Sequence, residues 1–237
     1  MTFPRGVLVT GGSKGIGRAI AQAFVRAGSG VLLTSRHEAE AVQAASDLTA
    51  IGPGRAVGVE ADVRVYDQIE GAAAQAAQEF GRLDLAVANA GVGIFAPVDE
   101  LTLEDWHEVL DTNLTGAFYT AKATAGLLAS SRGLLVFISS LAGRNAFAGG
   151  AAYNASKFGL NGFAEAAMLD LRPKGVRVSA ILPGSVATHF NNHEPNPADA
   201  WKIQPEDIAQ LVLDLWAMPA RTLPSRIEVR PSQPKSS

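Results

Sequence analysis

The chain has 237 residues, 47% of them hydrophobic and 18% charged, with a formal net charge of −3, as in a compact globular protein. No segment carries the clustered Lys and Arg that neutralising nucleic-acid phosphates requires, so no nucleic-acid partner is expected. Cysteine is absent, which excludes disulfides, thiolate metal sites and cysteine nucleophiles, and fits the cytoplasm.

The opening MTFPRGVLVT lacks the apolar run and cleavage site of a signal peptide. No apolar run approaches the roughly 18 residues of a membrane span, so a cytoplasmic protein without a membrane partner is expected. The first predicted strand, GVLVT (6–10), passes through TGGSKGIG (10–17) into a predicted helix, GIGRAIAQAFVRAG (15–28). A helix N-terminus bares unpaired N–H groups and partial positive charge, and glycine lets a phosphate approach without a Cβ in the way. The stretch therefore reads as a pyrophosphate cradle, although Gly11…Gly15-Ile-Gly17 is not the spacing GxGxxG and a P-loop GK[ST] ending is missing. A glycine-rich turn without a ligand is the bland alternative.

A second strand, VLLTS (31–35), leads through Arg36 to a helix over 38–50, and a third, AVGVE (56–60), to an Ala- and Gln-rich helix over 66–80. LDLAVAN (83–89) ends in ANAG (88–91). The longest predicted helix, about 102–130, opens at Thr102 with an acid three residues on, a variant of the capping box, and carries Asn113 in its interior. GLLVFIS (133–139) ends at Ser139 and Ser140, and YNASK (153–157) lies in a helix over 151–172. VRVSAIL (176–182) is followed by PGSVAT (183–188), then by the irregular HFNNHEPNPADAWKIQ (189–204). His189 and His193 have i, i+4 spacing there, but no third ligand accompanies them and no metal is expected. A last helix opens at Pro205, a strand at RIEV (226–229), and a polar tail over 231–237 is expected to be disordered.

The strand candidates are Val-, Leu- and Ile-rich with little polar alternation, as in strands buried on both faces. Their continuous alternation with helices predicts an α/β fold: a Rossmann-like, doubly wound parallel sheet of about seven strands with helices on both faces. One dinucleotide-binding domain is expected over 1–230, with 189–204 as a substrate loop. The motifs fall at carboxyl ends of strands, where such sheets bind ligands. Tyr153 and Lys157 share a helix face. A nearby ammonium is expected to lower the tyrosine pKa from about 10, making the phenol a proton donor and acceptor.

Together and in this order, TGGSKGIG, ANAG, Asn113 in NLTG, Ser140, Tyr153-NAS-Lys157 and PGSVAT resemble the short-chain dehydrogenase/reductase family in its single-domain form, over about 5–230. The family commonly has NNAG where this chain has ANAG. The resemblance implies hydride transfer between a nicotinamide cofactor and a small-molecule carbonyl or alcohol. It implies a catalytic set of Asn113, Ser140, Tyr153 and Lys157. Ser140 would polarise the carbonyl oxygen, with Ser139 as its rival. Asn113 would hold a water in a proton relay with Lys157. It implies cofactor contacts from Gly11, Ser13, Lys14, Gly15, Ile16, Gly17, Ser35, Arg36, Asp62, Val63, Asn89, Ala90, Gly91, Tyr153, Lys157, Pro183, Gly184, Val186 and Thr188.

NAD-binding members place an acid at the end of the second strand, whereas this chain has Thr34, Ser35 and Arg36 there, and Lys14 in the glycine loop. Two cations and a hydroxyl suit a 2′-phosphate, so NADP(H) is expected ahead of NAD(H), with Glu38, the nearest acid, assigned to the next helix. An NAD(H)-dependent alcohol dehydrogenase and a non-catalytic NADPH sensor are the alternatives. Ile94, Phe95, Leu141, Phe147, Phe190 and Trp201 predict a mainly apolar substrate pocket. The resemblance also implies a homo-oligomer, tetramer ahead of dimer, built on the helices over 102–130 and 151–172. The family's C-terminal VDGG-like motif is absent.

Overall fold

Runs of Val, Leu, Ile and Ala form strands here because both faces of their sheet are covered by helices. The computed structural model describes residues 4–233. In chain order the elements are β1 (Gly6–Val9), α1 (Gly15–Arg26), β2 (Gly30–Ser35), α2 (Glu38–Thr49), β3 (Arg55–Glu60), α3 (Tyr66–Phe80), β4 (Leu85–Ala88), α4 (Leu103–Leu110), α5 (Gly116–Ser131), β5 (Leu134–Ile138), α6 (Ala151–Leu171), β6 (Arg177–Pro183), α7 (Pro205–Ala217) and β7 (Arg226–Val229). All seven strands are parallel, in the order β3-β2-β1-β4-β5-β6-β7. The order reverses direction between β1 and β4, and a crevice opens beyond the carboxyl ends of the strands there.

The strand period of two divides the core. Val7 and Val9 pack with Ile20, Phe24, Ile208 and Val212 on the α1, α2 and α7 side. Leu8 packs on the opposite side with Ala72, Ala76, Ala121, Leu128, Leu160 and Ala164, from α3, α5 and α6. Alanine on those helices lets their backbones lie close to the sheet.

The helix expected over 102–130 is two helices. Thr102 caps α4 by accepting from the Asp105 N–H at 3.0 Å. The ladder then widens into a single π turn, Asp111–Thr115, before α5 resumes. Over 189–204 the chain makes short 3₁₀ turns, and an isolated bridge from Val186 to Ile203 ties its end to the segment that follows β6. Of the tail over 231–237, residues 231–233 carry no regular structure and 234–237 lie outside the described residues. No described helix is long and apolar enough to cross a membrane.

Candidate active site

The glycine stretch turns sharply out of β1, with Gly11 at φ +63° and Gly15 at φ +57°, a region that side chains with a Cβ seldom occupy. Asn89, just beyond β4, fastens this loop. Its Nδ2 donates to the carbonyls of Thr10 and Gly11, both at 3.0 Å, and its backbone N–H donates to Thr10 Oγ1 at 3.1 Å. Gly12 N–H bonds the Thr34 carbonyl at 2.9 Å, tying the loop to β2. At the start of α1, Lys14 makes no side-chain cap and the first turn holds no acid. The helix thus offers unpaired N–H groups and positive potential to the crevice, the donor set a pyrophosphate takes. These residues fit a dinucleotide.

From this cradle a cleft of about 880 Å³ runs along the strand ends to the 189–204 segment. Of the sequence-predicted residues, Gly11, Ser13, Lys14, Gly15, Ile16, Ser35, Arg36, Val63, Asn89, Ala90, Gly91, Ser140, Tyr153, Lys157, Pro183, Gly184, Val186 and Thr188 line it. Three do not. Gly17 is buried beneath the loop. The Asp62 carboxylate is turned onto Arg64 in a two-pronged pair, at 2.6 and 3.0 Å, which also holds its pKa below the usual carboxylate value. Asn113, 1% exposed, sits in the π turn with its amide fully engaged. Its Oδ1 accepts from Val92 N–H at 2.8 Å, and its Nδ2 donates to the Val92 carbonyl at 2.9 Å and to Ser156 Oγ at 3.0 Å. The side chain clamps the segment after β4 to α6.

The two serines after β5 part company as the strand period requires. Ser139 Oγ donates to Asn161 Oδ1 at 2.6 Å, beneath α6. The Ser140 hydroxyl accepts from Ala142 N–H at 3.1 Å and lies near enough to the Tyr153 phenol to lower its pKa. Phe95 meets the Tyr153 ring edge-on at 5.5 Å and Phe190 lies at 5.6 Å, with Phe147 against Phe95 at 5.6 Å. The wall beside the phenol is therefore aromatic; Ile94 and Leu141 also line the cleft, whereas Trp201, expected in the pocket, does not.

Burial raises the Tyr153 pKa above the ordinary tyrosine value, and the Ser140 contact offsets part of that rise. This corrects the lowering expected from Lys157. The ammonium lies 5.8 Å from the Tyr153 ring centre and donates to the Ile138 carbonyl at 3.1 Å, so it points beneath the end of β5 and not at the phenol oxygen. Burial in turn pushes Lys157 from 10.5 down to about 8. The unfolded chain keeps that proton up to 10.5, so between pH 8 and 10.5 it binds more protons than the native state, and native stability rises with pH. Unfolding curves should show wild type gaining on Lys157→Met between pH 8 and 10, at up to about 1.4 kcal/mol per pH unit. Stability curves for the two proteins that run parallel over this range would contradict a desolvated ammonium.

Two acids at the cleft escape the sequence patterns. Glu108 on α4 pairs with Arg36 at 3.6 Å across the cleft. Glu40, in the first turn of α2, folds back so that Oε2 accepts from Ser35 Oγ at 3.1 Å and Ser13 Oγ at 3.4 Å. The 189–204 segment is pinned by Asp199, whose carboxylate bonds Lys202 Nζ at 2.6 Å and His193 Nε2 at 2.5 Å. These partners, Lys202 first, hold Asp199 far below the usual carboxylate pKa.

The switch-point crevice, glycine cradle and parallel sheet define a Rossmann-like nucleotide-binding fold. A family model described as short chain dehydrogenase matches residues 5–198, and the chain belongs to that family. It is 33% identical to a protein named sepiapterin reductase from Chlorobaculum tepidum, over 95% of this chain and 96% of that one. It superposes at TM-score 0.90 on an alcohol dehydrogenase from the archaeon Thermococcus sibiricus complexed with 5-hydroxy-NADP, at 27% identity and 98% coverage of both chains. A metagenomic short-chain oxidoreductase in complex with NADP aligns at TM-score 0.83 and 35% identity, over 97% of this chain and 98% of that one. Membership makes the protein an oxidoreductase of CH–OH or carbonyl groups on a small molecule.

Proposed function

We propose that the protein is an NADP(H)-dependent carbonyl reductase or alcohol dehydrogenase. The observation that carries this is the grouping of Ser140, Tyr153 and Lys157 on the lining at one end of a cleft whose other end is the glycine cradle, with the Lys157 ammonium 5.8 Å from the Tyr153 ring centre. When bound, the nicotinamide supplies the hydride that no side chain carries. Ser140 holds the substrate oxygen and stabilises the charge that develops on it. Tyr153, a phenol that burial keeps from ionising, donates the proton in the reductive direction. Lys157 resupplies it, and Asn113 keeps the Val92 segment and α6 in register for that relay. The exposed faces of Phe95, Phe147 and Phe190 favour an apolar ketone.

Lys14 and Arg36 support the 2′-phosphorylated cofactor. Lys14 has no ion-pair partner among the described residues, and both cations line the cleft beside Ser13 and Ser35. The NADP complexes among similar structures point the same way. Exposed Phe118, Phe158 and Leu169 on α5 and α6 support assembly into a homo-oligomer, tetramer ahead of dimer. The test of the cofactor reading is paired titration with NADPH and NADH by nicotinamide fluorescence. Arg36→Asp should weaken NADPH by about tenfold or more and NADH by less than about threefold. Equal losses for both would sink the assignment.

A further inference from the structure

Ser13 and Ser35 adjoin Lys14 and Arg36 in the chain and line the cleft with them, and a 2′-phosphate would need their protons. Both protons already point at one oxygen of Glu40, at 3.4 and 3.1 Å. A serine hydroxyl has a single proton, so a hydroxyl that serves a carboxylate cannot serve a phosphate at the same time. Glu40 has no ion-pair partner among the described residues, so its charge is not cancelled locally. Arg36, the cation that would offset it, is instead drawn to Glu108 at 3.6 Å. A carboxylate so placed accepts from a ribose 2′-hydroxyl and repels a 2′-phosphate.

We infer that Glu40 is a cofactor-selectivity residue that restrains the preference for 2′-phosphorylated dinucleotide and keeps NADH a usable ligand. The inference rests on the dinucleotide reading of the cleft proposed above. It makes cofactor choice a balance of Lys14 and Arg36 against Glu40. To bind NADPH, the protein must turn Glu40 away from both serines or leave the two hydroxyls shared between two acceptors.

Calorimetric titration with 2′,5′-ADP and 5′-AMP isolates the ribose subsite from the chemistry. Glu40→Gln keeps an acceptor oxygen for the serines and removes only the charge. It should tighten 2′,5′-ADP about tenfold and move 5′-AMP by less than about threefold. Glu38→Gln removes a charge from the same helical turn and should change neither. The same ratio should appear for NADPH against NADH by fluorescence. If wild type prefers 2′,5′-ADP and Glu40→Gln leaves that affinity unchanged, the role of Glu40 is overturned while the NADP(H) reading stands. Equal effects of the two substitutions would also overturn it, since long-range charge alone would then be at work. If wild type prefers 5′-AMP and Glu40→Gln gains 2′,5′-ADP, Glu40 stands and the NADP(H) preference falls. Binding of neither nucleotide nor dinucleotide by any variant would remove both.

Discussion

Tyr153→Phe is expected to lower kcat for carbonyl reduction about a thousandfold and to move the dinucleotide Kd by less than about threefold. The asymmetry follows from what the hydroxyl touches. The ring makes the packing contacts, edge-on with Phe95 at 5.5 Å and against Phe190 at 5.6 Å, and phenylalanine keeps them. Among the described residues the phenol oxygen is influenced by the Ser140 side chain, and Ser140 retains the Ala142 N–H as a donor to its oxygen. The variant should therefore fold with an unchanged melting temperature and bind cofactor, yet lack an acid at the substrate oxygen. Single-turnover rates beside fluorescence titration check this directly. More than about a tenth of wild-type turnover in the variant would mean that the proton comes from elsewhere. The pH dependence should agree. A phenol with a raised pKa stays protonated through neutral pH, so reduction should hold from pH 6 to about 8 and fall above it as Lys157 loses its proton, while alcohol oxidation climbs.

The sequence made the sheet readable because each strand is a short apolar run with a helix on either side in the chain, and burial on both faces leaves no competing pattern. Strand ends shifted by a residue or two, as at 83–89, where the ladder keeps only Leu85–Ala88. Asn113 in a helix interior marked a disturbance, and the π turn lies there. What its amide would hold was not readable, because Val92 is 21 residues away and meets it only through the fold. Ser140 and Ser139 were separable in principle by the strand period, but their partners on α6 had to be seen. Glu40 was hidden for a different reason. Helix periodicity places an acid in a first turn as dipole compensation, an ordinary surface role, and only the back-folded side chain carries it to Ser13 and Ser35. The sign of the Tyr153 shift is not legible in the sequence, because spacing places Lys157 on the same helix face but says nothing of the Ile138 carbonyl that captures its ammonium.

Gly17→Ala should cost the protein most of its dinucleotide affinity, about a hundredfold, although Gly17 does not line the cleft. A Cβ at this position would stand 2.4 Å from the Gly11 carbonyl oxygen and 2.5 Å from Asn89 Nδ2. Neither neighbour can yield cheaply. Gly11 is held at φ +63° by the turn out of β1, and Asn89 Nδ2 is the group that binds the Thr10 and Gly11 carbonyls. Alanine must push the loop outward or break the Asn89 clamp, and either moves the N–H groups that face the phosphates. Such crowding in a packed region also destabilises the fold, by about 1–3 kcal/mol. Binding must therefore be measured well below the melting temperature, with circular dichroism to confirm the fold. Gly71→Ala is the matching control. Gly71 lies in α3 with nothing within 4 Å of where its Cβ would go, so alanine there should add about 0.5–1 kcal/mol of stability and leave binding alone. A Gly17→Ala protein that folds and binds NADPH with wild-type affinity would show that the phosphates do not rest on this loop. The glycines would then be serving only the close packing of α1 against β1 and β4.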